Sequence, residues 1–213
     1  MELNKGDVII FPTDTVYGIG AKITDIEALE KIYEIKKILG SKFSQILSMK
    51  EAGIVHETVE DGNTFMENAY KKAKEIAEIS GFAALADDSG ICADALDGRP
   101  GIYSARFSGE HGNDEDNNRL LLEMLEDKTD KRAHYTCAMA LVYPDGESVT
   151  AEGYMYGEIT HNPRGEAGFG YDPLFIPTGE TRTVAEMTEE EKNAISHRAN
   201  ALKELIEKLD KRG

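Results

Sequence analysis

Asp87-Asp88-Ser89-Gly90 sets two adjacent carboxylates, a hydroxyl and a glycine in four consecutive residues. Carboxylate oxygens are the hard ligands that Mg²⁺ takes, and one of such a pair can also serve as a base for water. The same residues also fit a plain acidic turn. Glu60-Asp61-Gly62-Asn63-Thr64 adds acids directly before a predicted helix start. Acids there often act only as caps or dipole partners, and Glu60 completes a metal site only if the fold carries it to Asp88. Gly168-Phe169-Gly170-Tyr171-Asp172-Pro173 flanks aromatic rings with glycines. Glycine lets backbone approach a ligand and an aromatic ring can stack on a base, although plain turns share this composition. Lys192, His197 and Arg198 fall within one predicted helical segment. Lys and Arg can neutralise phosphate, and His and Arg can donate to a purine carbonyl; the bland alternative is a solvated basic face. The chain has no Walker-A loop, and Gly18-x-Gly20 lacks the third glycine of a dinucleotide fingerprint.

The elements that must position these residues are predicted from capping and periodicity. Asp7–Phe11 reads as a strand closed by Pro12. Thr24-x-x-Glu27 opens a helix ending near Gly40, and Thr64-x-x-Glu67 opens another running to Gly81, with Phe65, Ala69, Ala73 and Ile76 facing the core. Phe82–Ala86 reads as a buried strand with the acidic pair at its end, and the alternation over Ile91–Leu96 suggests a second short strand. Asn117–Leu125 reads as a helix. Ala133–Tyr143, Pro144-Asp145-Gly146 and Ser148–Ile159 form a hairpin, and Thr188-x-x-Glu191 opens the last helical region. There Ile195, Leu202, Leu205, Ile206 and Leu209 form an apolar stripe that reads as core. The mixture predicts an α/β protein with a long, partly antiparallel sheet in one domain.

The chain has 213 residues, of which 40% are hydrophobic and 30% charged, enough for a real core. No apolar run approaches the roughly 18–20 residues that span a bilayer, and no secretory pattern opens the chain. Cys92 and Cys137 read as small buried hydrophobes, so the expected compartment is the reducing cytoplasm. The formal net charge of −16 repels polyanions and disfavours extended nucleic-acid binding. A small anion remains possible where Lys, Arg or Mg²⁺ is focused. The acids Glu67, Glu75, Glu78, Glu204 and Glu207 read as solvated helix faces.

Glu60-Asp61-Gly62-Asn63-Thr64-Phe65-Met66-Glu67-Asn68-Ala69 is followed in order by Ala86-Asp87-Asp88-Ser89-Gly90 and Pro100-Gly101-Ile102-Tyr103-Ser104-Ala105-Arg106. Gly168–Pro173 and Glu191-Lys192-Asn193-Ala194-Ile195-Ser196-His197-Arg198 come later. From about Lys31 onward, this series closely resembles the inosine-triphosphate pyrophosphatase family, which hydrolyses dITP, ITP and XTP. The resemblance implies an elongated two-lobed α/β fold with a central nucleotide cleft, a homodimer, and Mg²⁺-dependent cleavage to monophosphate and pyrophosphate. It implies Asp88 as catalytic base and metal ligand, Glu60 as a second metal ligand, and Asp87 in support. It places Ser89 and Lys72 near the phosphates or sugar, Phe169, Gly170, Tyr171 and Asp172 in the base pocket, and Lys192, His197 and Arg198 on the 6-oxo purine.

The beginning departs from that pattern. The family's Thr-x-Asn-x-x-Lys phosphate turn is missing, although Lys31 falls in register with its lysine, with Ile26 and Ala28 in place of the Thr and Asn. Gly6–Ala21, continuing through Lys36, resembles instead the start of threonylcarbamoyl-adenylate synthase (YrdC-like). About 36 residues are too few for that domain, so synthase activity is not expected. The reading is a chimera whose residues 1–36 replace a strand-loop-helix of a single domain over 1–213, with weak hydrolysis. A folded nucleotide-binding scaffold without catalysis is the alternative.

Overall fold

The computed structural model describes residues 8–11, 43, 45–109 and 113–212. The predicted Thr24–Gly40 helix, the Thr13–Lys22 loop and Lys31 lie outside the described residues. Six strands form one mixed sheet in the order β2-β1-β3-β4-β5-β6. They are β1 (Val8–Phe11), β2 (Gln45–Ser48), β3 (Ala83–Ala93), β4 (Arg132–Val142), β5 (Ser148–Ile159) and β6 (Phe175–Pro177). β1 runs parallel to β2 and β3, whereas β6 is antiparallel to β5. The described helices are α1 (Phe65–Ser80), α2 (Asp114–Leu125), α3 (Glu189–Ile195) and α4 (His197–Asp210).

The chain gathers into two compact units. The first comprises Met1–Asp88, Ala138–Glu152 and Leu202–Gly213; the second comprises Ser89–Cys137 and Gly153–Ala201. In the first, Ala69, Ala73, Ile76 and Ala77 of α1 pack with Ala84, Ala86, Ala138 and Ala140. Small side chains on both elements let helix and strands approach closely, and a larger residue there would overpack by about 1–3 kcal/mol. In the second, Ile91, Leu121, Leu125, Tyr135, Tyr171, Leu174 and Phe175 form the core.

Local chemistry explains most boundaries. The Thr64 side chain accepts from the Glu67 N–H, and Gly81, at φ 71°, ends α1 in the left-handed conformation. The Glu67 carboxylate accepts from Asn63 N–H at 2.7 Å, one residue before the position expected for a capping box. α2 starts earlier than predicted because Asn113 caps it by accepting from Asp116 N–H. The β4–β5 hairpin turns at Gly146, which has φ 87°.

Three expectations need correction. β3 is one strand of 11 residues, so Asp87 and Asp88 lie within it rather than at its end. Phe82, expected to be buried, is 47% exposed and lies outside that strand. The last region is not one helix. Ser196, extended at ψ 151°, separates α3 from α4 and puts Lys192 on one helix and His197 and Arg198 on the next.

Candidate active site

In the first unit, α1 presents Asn68, Lys71, Lys72 and Glu75 at three- and four-residue spacings that share one face. That face holds the irregular segment 54–63. Thr58 donates to Glu75 at 2.6 Å, and His56 Nε2 lies 2.7 Å from the same carboxylate oxygen. Lys71 Nζ donates to the Val59 carbonyl at 2.7 Å and to Asp61 at 2.6 Å. Lys72 Nζ donates to Glu60 Oε1 at 2.8 Å, and Gly62 N–H donates to Asn68 Oδ1 at 2.8 Å. Ile54 packs against the core at the start of this segment, but Val55 and Val59 are exposed, so polar ties hold the rest of it. Glu75, read from sequence as a solvated acid, is a half-buried tether instead.

Successive side chains of a strand point to opposite faces, so Asp87 and Asp88 diverge. Asp88 is 8% exposed and accepts from Asn68 Nδ2 at 3.0 Å. Its Oδ1 is 3.7 Å from the Lys72 ammonium, so one cation contacts both Asp88 and Glu60. Burial is the largest influence on the Asp88 carboxyl and raises its pKa to about 6. Lys72 and the Asn68 amide oppose that rise, while Glu60 and Asp87 reinforce it. Burial pulls Lys72 downward, but Asp88, Glu60 and Asp87 together outweigh it and leave the ammonium held above its ordinary value. The pair thus shifts unequally: burial prevails on the acid, neighbouring charge on the base.

The donor set fits a divalent cation. Glu60 and Asp88 are hard oxygen donors that already converge on one positive centre. Among the described residues no group of three or more His, Cys, Asp or Glu is poised to hold a metal. Two carboxylates suit Mg²⁺, which commonly completes its shell with water and substrate phosphate.

The second unit builds a different constellation. Gly168 and Gly170 adopt φ 79° and 60°, and a Cβ at Gly168 would lie 2.2 Å from Asp172 Oδ2. Asp172, 4% exposed, accepts from Phe169 N–H at 3.1 Å, Lys192 Nζ at 2.7 Å and Tyr135 OH at 3.4 Å. α2 braces the same turn: Asp114 accepts from Gly170 N–H at 2.6 Å, and Asn118 Nδ2 donates to its carbonyl at 2.9 Å. The Phe169 ring stays 40% exposed, with Lys192 Nζ 4.6 Å and Arg198 Cζ 5.9 Å from its centroid. Arg198 Nη2 donates to Ser89 Oγ at 2.9 Å. His197 stacks on Tyr135 at 4.9 Å and 14° between planes.

The structure therefore groups Glu60, Asp88 and Lys72 in one unit, with Asp87 acting on them through its charge. It groups Ser89, Phe169, Gly170, Asp172, Lys192, His197 and Arg198 in the other. Tyr171 departs from expectation: its ring is 4% exposed in the core and its hydroxyl donates to the Ser104 carbonyl at 2.8 Å. Burial and the charge of Asp114 hold that phenol well above its ordinary pKa. Sequence reasoning missed Asn68, Lys71, Tyr135, Asp114 and Asn118. The helical spacing of residues 68, 71, 72 and 75 carried a signal for the first two; nothing local marked the others.

The Ham1 family pattern matches residues 28–208. A dITP/XTP pyrophosphatase from Clostridium perfringens is 49% identical over 187 residues, covering 84% of this chain and 92% of the relative. One from Streptomyces coelicolor is 46% identical over 190 residues, covering 83% and 90%. The Staphylococcus aureus Ham1 protein superposes with a TM-score of 0.82 at 34% identity, covering 97% of this chain and 100% of that one. The nucleoside-triphosphatase / dITP/XTP pyrophosphatase of Mycobacterium abscessus gives 0.75 at 40% identity, covering 93% and 98%. With that identity sustained over more than four-fifths of its length, the chain belongs to the Ham1 family.

Proposed function

We propose that this protein hydrolyses non-standard purine nucleoside triphosphates (ITP, dITP and XTP) to the monophosphate and pyrophosphate. The observation that carries the reading is the convergence of Glu60 and Asp88 on one cation. Their carboxylates would hold Mg²⁺, which when bound offsets charge on the phosphates. Asp88, whose pKa of about 6 leaves it ionised at neutral pH, accepts the proton of the attacking water, and Asp87 adds negative charge beside it. Phe169 offers a face on which a base stacks, on the turn set by Gly170 and Asp172. Lys192, His197 and Arg198 supply donors for a 6-oxo group, with Ser89 beside Arg198. A 6-amino purine would leave those donors unpaired, which disfavours adenine nucleotides.

The functional species proposed is a cytoplasmic homodimer acting as a single domain over 1–213. No described helix is long and apolar enough to cross a membrane. The resemblance of residues 1–36 to the synthase is the sole support for a replaced phosphate turn, and the Ham1 match takes in residues 28–36 of that segment. Lys31 is the cation left in register for the phosphates. Losing charged phosphate contacts costs about 1.5–3 kcal/mol each. Restoring Thr-x-Asn-x-x-Lys should therefore lower the KM for ITP; an unchanged KM refutes the replacement reading. The missing turn also favours a second reading, a nucleotide-binding scaffold without catalysis.

Pyrophosphate release from ITP, XTP and ATP with Mg²⁺ separates the two readings. Hydrolysis of ITP and XTP that disappears in Asp88→Asn supports the enzyme. Equal rates in parent and variant remove Asp88 from the chemistry, and nucleotide binding without release leaves the scaffold.

A further inference from the structure

We infer that Asn68 is a positioning residue whose amide holds the Glu60 segment and the Asp88 strand at one separation; this rests on reading Glu60 and Asp88 as the metal ligands. Asn68 is fully buried on the first turn of α1. Both ends of its amide are used across different elements. Nδ2 donates to Asp88 Oδ2 at 3.0 Å, and Oδ1 accepts from Gly62 N–H at 2.8 Å. Those partners also fix the amide's orientation, because a backbone N–H can only donate and an ionised carboxylate can only accept.

Gly62 shows how closely the segment must approach. A Cβ there would lie 2.6 Å from Asn68 Oδ1, 2.9 Å from Glu67 Cβ and 3.1 Å from Asn68 N. No side chain fits without driving the segment off the helix, and Glu60 lies two residues away. Lys71 and Glu75 also tether this segment to α1, but they do so through His56, Thr58, Val59 and Asp61 and not through Asp88. Lys72 touches both carboxylates, yet a divalent cation on Glu60 and Asp88 competes with its ammonium for the same oxygens. That ion pair therefore cannot set the spacing once metal is bound. The Asn68 amide uses Asp88 Oδ2 and leaves Oδ1 toward the cation centre, so it can persist in both states.

Partners of this kind, one bond removed from a metal, are worth about 10–100-fold in metal affinity. The test uses Mn²⁺ as a paramagnetic probe on the full-length chain, comparing the parent with Glu60→Gln, Asp88→Asn, Asn68→Ala and Gly62→Ala. Metal-free affinity for inosine monophosphate and a thermal melt are measured alongside. Glu60→Gln and Asp88→Asn should lose Mn²⁺. Asn68→Ala and Gly62→Ala should weaken it about 10–100-fold while inosine monophosphate affinity stays at the parent value. A merely structural role for Asn68 would lower the melt and leave Mn²⁺ affinity unchanged in folded protein, which overturns the inference. Should Asn68→Ala fail to fold, Gly62→Ala carries the test, because its added methyl presses on Asn68 and Glu67 and touches neither ligand. Parent-like Mn²⁺ binding by Gly62→Ala, with Glu60→Gln impaired, overturns the positioning role alone. Parent-like binding by both Glu60→Gln and Asp88→Asn overturns the ligand assignment itself.

Discussion

Replacing Asp88 with asparagine should abolish hydrolysis and, with magnesium withheld, make the folded chain more stable at neutral pH. The carboxyl is 8% exposed and its pKa stands at about 6 against an ordinary 3.8, with burial the leading cause. A folded-state pKa above the unfolded value means that the native protein holds this proton more tightly. The resulting stabilisation is fully present below the unfolded pKa and is lost as pH rises through about 6. At neutral pH, ionised Asp88 then costs roughly 3 kcal/mol relative to its neutral form, at about 1.4 kcal/mol per pKa unit. Asparagine mimics the neutral form and retains an acceptor for Asn68, while Lys72 loses part of its attraction. A net gain of roughly 1–3 kcal/mol is therefore expected near pH 8, shrinking toward zero below about pH 4. Urea unfolding of parent and variant with a chelator present, at several pH values, measures the difference directly. Added Mg²⁺ should reverse the order, since a ligand bound only by the folded parent stabilises it by mass action. A variant that is less stable by the same amount at high and low pH would refute the reasoning, because the buried charge would then carry no cost.

Phe169→Ala should raise the KM for ITP by an amount corresponding to about 1–3 kcal/mol of lost stacking, with kcat little changed; steady-state kinetics would show it. Glu75→Ala should free His56 and Thr58, so that amide exchange over residues 54–62 accelerates while β3 stays protected. Each lost bond is worth about 1 kcal/mol there, and unchanged exchange would show that Lys71 and Asn68 suffice to hold the segment.

Much of the secondary structure was legible because its causes are local. Thr64, Gly81 and Thr188 act within one turn of themselves, and Pro144-Asp145-Gly146 closes a hairpin whose partners follow directly in the chain. β3 was misread because a carboxylate pair followed by Ser-Gly has the composition of a turn. Asn68 and Lys72, both distant in sequence, compensate the burial of Asp88 and let the strand continue. The Ser196 break escaped notice because the apolar stripe spans it.

By itself, the sequence determined that Glu60, Asp88, Phe169, Lys192, His197 and Arg198 sit in a family-like order, and it marked the starts of the helices that carry several of them. Tertiary structure alone decided that Glu60 and Asp88 share Lys72, that Asn68 joins their supports, and that Tyr171 packs inward while Phe169 stays exposed. The physical reason is range. Caps and turns act between neighbours in the chain, whereas the cost of burying a charge, and the groups that offset it, depend on what the folded chain brings alongside.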